Sequence, residues 1–174
     1  MKEVFYTTVY QALFLSMRSR TDIQLPVAFL CTRVKDPDVD DWAKLIRMMS
    51  YLNRYKFLPT ILRADSTHMC RWYADAAFAV HKDMKSHTGY LLTMGKGAMQ
   101  SRSIKQKINT KSSTEAELIT TNSVTTLILW TQWFLEEQGY KVSQTILNQD
   151  NKSTILLEEN SKESSSKRTR HINI

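Results

Sequence analysis

Apolar side chains recur with the period of an α-helix through the first third of the chain. They predict a first helix from about residue 5 to residue 18, with apolar positions Phe5, Val9, Ala12, Leu13 and Met17. Asp22 is a candidate N-cap of a second helix to about Val34, and Pro37 marks its end because proline cannot continue a helix. A third helix follows, with the apolar positions Trp42, Leu45, Ile46, Met49 and Leu52. The pattern predicts three packed helices over residues 1 to about 56.

From about Lys56 the pattern changes to short stretches that are aromatic and partly β-branched, as in strands. Residues 70–75 and 88–94 are predicted strands, and the glycines around Lys96 predict a tight turn into a third strand at 98–102. A fourth strand is predicted at 144–149, after a long helix. Short connections favour an antiparallel meander of the first three strands, whereas the long helix favours a parallel fourth strand. The predicted fold class is α/β, a mixed sheet flanked by helices.

The long helix between the third and fourth strands has the clearest end signals in the chain. Ser112 followed by Glu115 fits a capping box, and Gly139 suits the left-handed residue that ends a helix. Most sides of its second half are apolar, at Leu127, Ile128, Leu129, Trp130, Trp133 and Phe134. Such a helix is predicted to be buried between the sheet and another helix. A short helix is predicted at 151–159 and a loop at 161–170.

Composition and charge restrict the class of protein further. The chain has 174 residues, which suits a helical segment (1–62) followed by one domain (63–174). Its net charge of +7 suits a polyanionic partner, although a solvated surface explains it equally well. The two cysteines, Cys31 and Cys70, form neither a metal spacing nor a disulfide framework, which favours an intracellular setting. No apolar run is long enough for a membrane span, so no membrane partner is expected.

Three carboxylates stand at the ends of predicted elements. Asp75 lies at the end of the first strand, Glu117 near the start of the long helix, and Asp150 directly after the fourth strand. Buried acids near one another are costly unless cations neutralise them, and oxygen ligands suit Mg²⁺ or Mn²⁺. Each acid also has a structural alternative. Asp75 could close a turn, and Asp150 could cap the next helix. Glu117 could be an acid near the start of the helix that is stabilised by the helix dipole.

The segments around these acids resemble the ribonuclease H domain of copia-type retrotransposon Pol polyproteins. The resemblance covers about residues 70 to 174. It is carried by Tyr73-Ala74-Asp75-Ala76, His87-Thr88-Gly89-Tyr90, Lys111-Ser112-Ser113-Thr114-Glu115-Ala116-Glu117, Gln149-Asp150-Asn151-Lys152-Ser153 and Lys167-Arg168-Thr169-Arg170-His171-Ile172. The preceding helices, with Arg20-Thr21-Asp22-Ile23, resemble the segment that joins the reverse transcriptase to that domain.

The resemblance implies a ribonuclease H-like fold and a function. Asp75, Glu117 and Asp150 would be the catalytic and metal-ligating residues, holding two Mg²⁺ or Mn²⁺ ions. The substrate would be the RNA strand of an RNA–DNA hybrid, recognised by its shape and 2′-hydroxyls. The reverse transcriptase portion of the same polyprotein is an expected partner. A cytoplasmic virus-like particle is the expected location.

The sequence departs from the family pattern at three places. Ala77 and Asn173 stand where the family usually has acids. The family continues past the position of Ile174 with a strand and a helix that carries a fourth active-site Asp. We therefore expect a C-terminally truncated domain with little or no ribonuclease H activity.

A basic run lies between the third strand and the long helix, at Arg102, Lys105, Lys107 and Lys111. It is predicted to bind nucleic acid phosphates, and a solvated loop is an even alternative. Tyr73-Ala74-Asp75-Ala76 also resembles the Tyr-x-Asp-Asp hairpin of polymerases. The second Asp is missing, however, and 72 preceding residues cannot hold a polymerase fold. The alternative from a different class is a catalytically inactive retrotransposon remnant that at most binds nucleic acid.

Overall fold

The computed structural model describes residues 2–160, and both the loop predicted at 161–170 and the motif that ends at Ile172 lie outside them. The α-helices are α1 Lys2–Arg18, α2 Gln24–Cys31, α3 Val39–Arg54, α4 Ser113–Glu137 and α5 Lys152–Asn160, and a 3₁₀ turn covers Thr21–Ile23. The strands are β1 Arg63–Ala64, β2 Met69–Ala77, β3 His87–Thr93, β4 Gly95–Lys96, β5 Gln100–Lys105 and β6 Gln144–Asn148.

The first three α-helices pack around a core of their own. Its buried side chains are Phe5, Val9, Ala12, Ile23, Val27, Leu30, Leu45 and Met48. The predicted helical pattern is therefore confirmed, except that Met17, Ile46 and Met49 are exposed. All three lie just outside the buried positions of their helices. The domain boundary at residues 62 and 63 stays a prediction.

Capping in the helical segment differs from the prediction at one helix. Asp22 caps nothing, because its carboxylate accepts hydrogen bonds from the Arg20 guanidinium at 2.7 and 2.9 Å and from the Tyr51 hydroxyl at 2.7 Å. Asp38 instead caps α3, where it forms a reciprocal capping box with Asp41. The contact with Arg20, two residues earlier in the chain, therefore replaces the predicted contact of Asp22 with the start of the second helix.

The four longer strands form one mixed sheet in the order β5-β3-β2-β6. β3 is antiparallel to both β2 and β5, whereas β6 is parallel to β2. The predicted meander with a parallel addition is confirmed. β5 begins later than predicted and extends to Lys105, so Lys105 lies on the strand together with Arg102 and not in the connection to the long helix. The turn predicted at residues 95–97 contains β4, which pairs with β1.

The first half of α4 packs on the sheet. Trp72, Leu92 and Val124 meet there in a buried cluster, and Ser112 and Gly139 end the helix as predicted. The prediction that α4 is covered on most sides is wrong, because Leu129, Trp130, Trp133 and Phe134 are all exposed. α4 runs for 25 residues, and α5 packs beside its first half, where Glu158 reaches Thr121. The outer face of the second half is bare in the described part of the chain.

The helical core yields a test of stability. Phe5 is fully buried and meets the Trp42 ring edge-on, with ring centroids 5.1 Å apart, whereas Phe14 on the same helix is 67% exposed. We expect Phe5→Ala to lower the free energy of unfolding by about 3–5 kcal/mol, because it leaves a cavity. Phe14→Ala should cost less than about 1 kcal/mol. Urea unfolding followed by circular dichroism measures both, and equal losses would contradict this packing.

Candidate active site

Asp75, Glu117 and Asp150 converge, as the sequence predicted. One carboxylate oxygen from each lies within 4.8 Å of the others. Asp75 lies on β2 opposite Gly89, and Asp150 follows the end of β6. β2 and β6 are parallel and in register at Tyr73 and Asn148, so two residues further on Asp75 stands beside Asp150. The catalytic role of the three residues stays a prediction.

Glu117 is the buried member of this acid cluster. It lies in the second turn of α4 and is 5% exposed. Its Oε2 accepts a hydrogen bond from the Gln149 amide at 3.0 Å, and the Ala76 backbone N–H also donates to the carboxylate. Burial raises the pKa of Glu117, and the negative charges of Asp75 and Asp150 raise it further, against the effect of these hydrogen bonds.

The structural alternatives for the three acids find little support. Asp75 lies inside a strand and not in a turn. Glu117 lies in the second turn of α4, whereas the unpaired N–H groups that would attract an acid are in the first turn. Asn151, and not Asp150, caps α5, because its Oδ1 accepts from the Thr154 N–H at 3.1 Å.

The donor set fits a hard divalent cation. The three ligands are carboxylates without sulfur or imidazole, which is the chemistry that Mg²⁺ and Mn²⁺ prefer. One oxygen of each carboxylate lies within 4.8 Å of the others, so the three side chains could share such a cation. Such a cation would also relieve the repulsion that surrounds Glu117.

A polar network holds the start of α4 on the sheet. The buried Gln106 amide donates to Thr88 Oγ1 and the Ala116 carbonyl, both at 3.0 Å. Thr88 Oγ1 in turn lies 2.8 Å from Thr120 Oγ1. These bonds join β3, the end of β5 and the turn of α4 that carries Glu117. Sequence analysis missed Gln106, because a lone Gln in a polar stretch gives no periodic signal.

Two further features were also missed. Gln149 belongs to the Gln149–Ser153 motif, but the sequence assigned it no role, although its amide donates to Glu117. His81 and His87 are both buried, with His81 Nε2 3.0 Å from His87 Nδ1, and His87 Nε2 lies 2.7 Å from Ser103 Oγ. The His87-Thr88-Gly89-Tyr90 motif marked one of these two residues, but only the fold brings His81 to it.

The four predicted nucleic-acid-binding residues divide into two kinds. Lys105 already has a partner, because its Nζ lies 2.7 Å from Asp83 Oδ1. Arg102, Lys107 and Lys111 are exposed. Lys111 lies just before α4, where its backbone N–H donates to the Glu115 carboxylate at 2.7 Å. Lys107 and Lys111 are therefore on the loop that leads to Glu117.

The site and fold define a mixed-sheet α/β protein with a three-carboxylate site. The chain is 30% identical over its whole length to the "Retrovirus-related Pol polyprotein from transposon TNT 1-94" of Nicotiana tabacum, and it spans 13% of that polyprotein. It is 29% identical over 132 residues to the "Secreted RxLR effector protein 161" of Plasmopara viticola, which covers 75% of this chain and 93% of that protein. No protein-family model and no solved structure matches the chain. The first similarity supports a retrotransposon Pol origin.

Within the described residues, no helix is both long enough and apolar enough to cross a membrane.

The buried histidine pair predicts a pH dependence of stability. Burial, with a smaller contribution from His81, lowers the pKa of His87 from 6.5 to about 4. The unfolded chain therefore takes up this proton at a higher pH than the folded chain does. The stabilisation is complete above pH 6.5 and is lost as the pH falls towards 4, with a slope of at most about 1.4 kcal/mol per pH unit.

We expect His87→Gln to flatten this dependence, because glutamine does not titrate. Urea unfolding at a series of pH values between 4 and 7 measures the slope. His68→Gln at an exposed position is the control and should keep the wild-type slope. An unchanged slope in His87→Gln would show that other groups carry the pH dependence.

Proposed function

We propose that the chain is a copia-type ribonuclease H domain, preceded by the end of a reverse transcriptase region, that hydrolyses the RNA strand of RNA–DNA hybrids. The observation that carries the proposal is the convergence of Asp75, Glu117 and Asp150 on one edge of a mixed β5-β3-β2-β6 sheet. The similarity to a retrotransposon Pol polyprotein over the whole chain supports it.

Each acid has a distinct part in the proposed site. Asp75 and Asp150 are exposed and would present their carboxylates to solvent and substrate, whereas Glu117 is the buried member of the site. A pair of Mg²⁺ or Mn²⁺ ions bound there would supply an activated water and stabilise the leaving oxygen. Because Gln149 and the Ala76 N–H both donate to Glu117, its carboxylate stays oriented while the other two can adjust.

The basic residues suit the hybrid backbone. Lys107 and Lys111 precede the helix that carries Glu117, so a strand held by them would pass close to the acid cluster. Their contacts would be electrostatic and indifferent to sequence. Arg102 lies on β5, at the other edge of the sheet from β6, and would contact the duplex farther from the acids. Lys105 would contribute less, because Asp83 already neutralises it.

A second candidate function is nucleic acid binding without catalysis. Two observations favour it. Within residues 2–160, three carboxylates converge and no fourth acid joins them, whereas the resemblance implies a site of four. The chain also covers 93% of a relative named as a secreted effector, so a protein can consist of little more than this region. Metal binding separates the two candidates, because catalysis requires it and simple binding to a polyanion does not.

We expect the 174-residue chain to bind Mn²⁺ and to cut the RNA strand of a hybrid slowly, leaving single-stranded RNA and duplex DNA intact. Asp150→Asn should abolish cleavage, with a loss of at least about 100-fold, and should remove Mn²⁺ binding measured by calorimetry. Asp36→Asn, an exposed acid beside α3, is the control and should stay within about twofold of wild type.

Three results would decide against catalysis by these acids. Mn²⁺ binding that survives Asp150→Asn would place the cation elsewhere, and a chain that binds no Mn²⁺ but retains hybrid binding would support the second candidate. Cleavage that Asp150→Asn leaves intact would point to a contaminating nuclease.

Binding to the hybrid should weaken with salt. If Lys107 and Lys111 each contact one phosphate, replacing both with alanine should reduce the slope of log affinity against log salt by about 1.8. Fluorescence anisotropy with labelled hybrid at several salt concentrations measures the slope, in Ca²⁺ so that cleavage does not interfere.

Lys96→Ala with Lys141→Ala is the matched control for this experiment. Both residues are exposed and lie near the opposite end of the sheet, where β2 begins, so the same two charges are removed away from the acids. Equal changes in the two double variants would show that net charge alone, and not this loop, governs binding.

A further inference from the structure

Gln149 connects two parts of the acid cluster through one side chain. Its Nε2 donates to Glu117 Oε2 at 3.0 Å and approaches Thr121 Oγ1 at 3.4 Å. Its Oε1 accepts from the backbone N–H groups of Asp150 at 2.8 Å and of Asn151 at 3.2 Å. A single half-buried amide therefore joins the buried acid on α4 to the turn that presents the exposed acid after β6.

Only one orientation of this amide satisfies its partners. Backbone N–H groups can only donate, so the oxygen of Gln149 must face Asp150 and Asn151. An ionised carboxylate can only accept, so the nitrogen must face Glu117. No rotation of the amide keeps both contacts, and the Glu117 oxygen is therefore held in a defined direction. A hydrogen bond to a charged acceptor is also stronger than one between neutral groups.

The rest of the acid cluster has fewer constraints. Asp75 and Asp150 are exposed, and three carboxylates this close repel one another when ionised. A cation that binds them would have to gather these side chains. A ligand that is already held in its binding orientation reduces the cost of gathering the side chains. The hydrogen-bond partners of metal ligands generally provide such orientation.

We propose that Gln149 is a positioning residue that orients the Glu117 carboxylate for divalent metal binding and ties it to the turn that carries Asp150. This inference rests on the proposed metal site, and it adds a residue that acts through Glu117 and not on the substrate. Its own amide is fully used by protein partners, so a direct contact with the metal would require it to release one of them.

The chain offers variants that separate orientation from folding. Gln149→Met removes both sets of hydrogen bonds at nearly constant size. Gln149→Asn is one carbon shorter, so its amide can still accept from the Asn151 N–H, as asparagine does in turns, but it cannot reach Glu117. Gln132→Met is the matched control. Gln132 donates to Glu136 at 3.0 Å on α4, the helix that also carries Glu117, but away from the acid cluster.

Calorimetric titration of the full chain with Mn²⁺ is the main measurement, accompanied by urea unfolding of every variant. We expect Gln149→Met and Gln149→Asn to weaken Mn²⁺ binding by about tenfold or more, and Gln132→Met to change it less than twofold. In a Glu117→Gln background, Gln149→Asn should change Mn²⁺ binding less than twofold, because position 117 no longer holds a carboxylate for Gln149 to orient.

The outcomes distinguish this inference from the proposed function. If wild type binds no Mn²⁺, the proposed site fails and the inference fails with it. If wild type binds Mn²⁺ and a folded Gln149→Asn binds it equally well, only the inference is overturned. A tenfold effect of Gln149→Asn that persists in the Glu117→Gln background would also overturn it, because Gln149 would then act on another ligand. If Gln149→Met unfolds, Gln149→Asn decides alone.

Discussion

Parallel pairing between β2 and β6 is the constraint on which the acid cluster depends. Parallel strands end at the same edge of a sheet, so Asp75 and Asp150 stand side by side once Tyr73 and Asn148 are in register. α4 makes the long connection that such pairing needs, and it brings Glu117 to the same edge. A slip of one residue would turn Asp75 to the opposite face of the sheet and bring either Ala74 or Ala76 to the site, depending on the direction of the slip. The register is held by the burial of Cys70, Trp72 and Ala74 under α4.

Burial of Glu117 opposes the stability of this arrangement. A carboxylate in a nearly closed position loses its water, and two neighbouring acids add repulsion, which is why its pKa is raised. The surrounding structure offsets this cost with donors, from Gln149 and from the backbone of β2. The Gln106 network keeps α4 from moving away, because its amide bonds both the helix backbone and Thr88 on the sheet. The structure therefore holds the ionisable Glu117 in a buried position that apolar packing alone would disfavour, which is typical of functional sites.

Local signals predicted much of this fold, and tertiary contacts account for what they missed. Ser112 and Gly139 end α4 as predicted, because helix caps involve only neighbouring residues. Asp22 has the same local signal but is held by Arg20 and by the distant Tyr51, which no cap rule includes. The apolar residues on the second half of α4 predicted a buried helix, yet Trp130 and Trp133 are exposed in the described part of the chain. The three acids were predictable because each stands near the end of an element that the sequence pattern predicts. Gln149 was not, since its importance arises from a contact across 32 positions of sequence.

The helical segment is joined to the sheet through β5, and this contact gives it a place beside the acid cluster. The Gln24 amide lies 3.3 Å from both the Ser16 and Ser101 carbonyls, so one side chain links α1, α2 and β5. A groove of about 950 Å³ runs from Thr21 and Gln24 across the sheet to Asp75 and Asp150. Both segments therefore line the same groove, although each has a separate hydrophobic core. Because the helices form one wall of that groove, a ligand that reaches the acids along it must fit between the two segments. The helical segment thus shapes access to the acid cluster although it contributes no carboxylate to it.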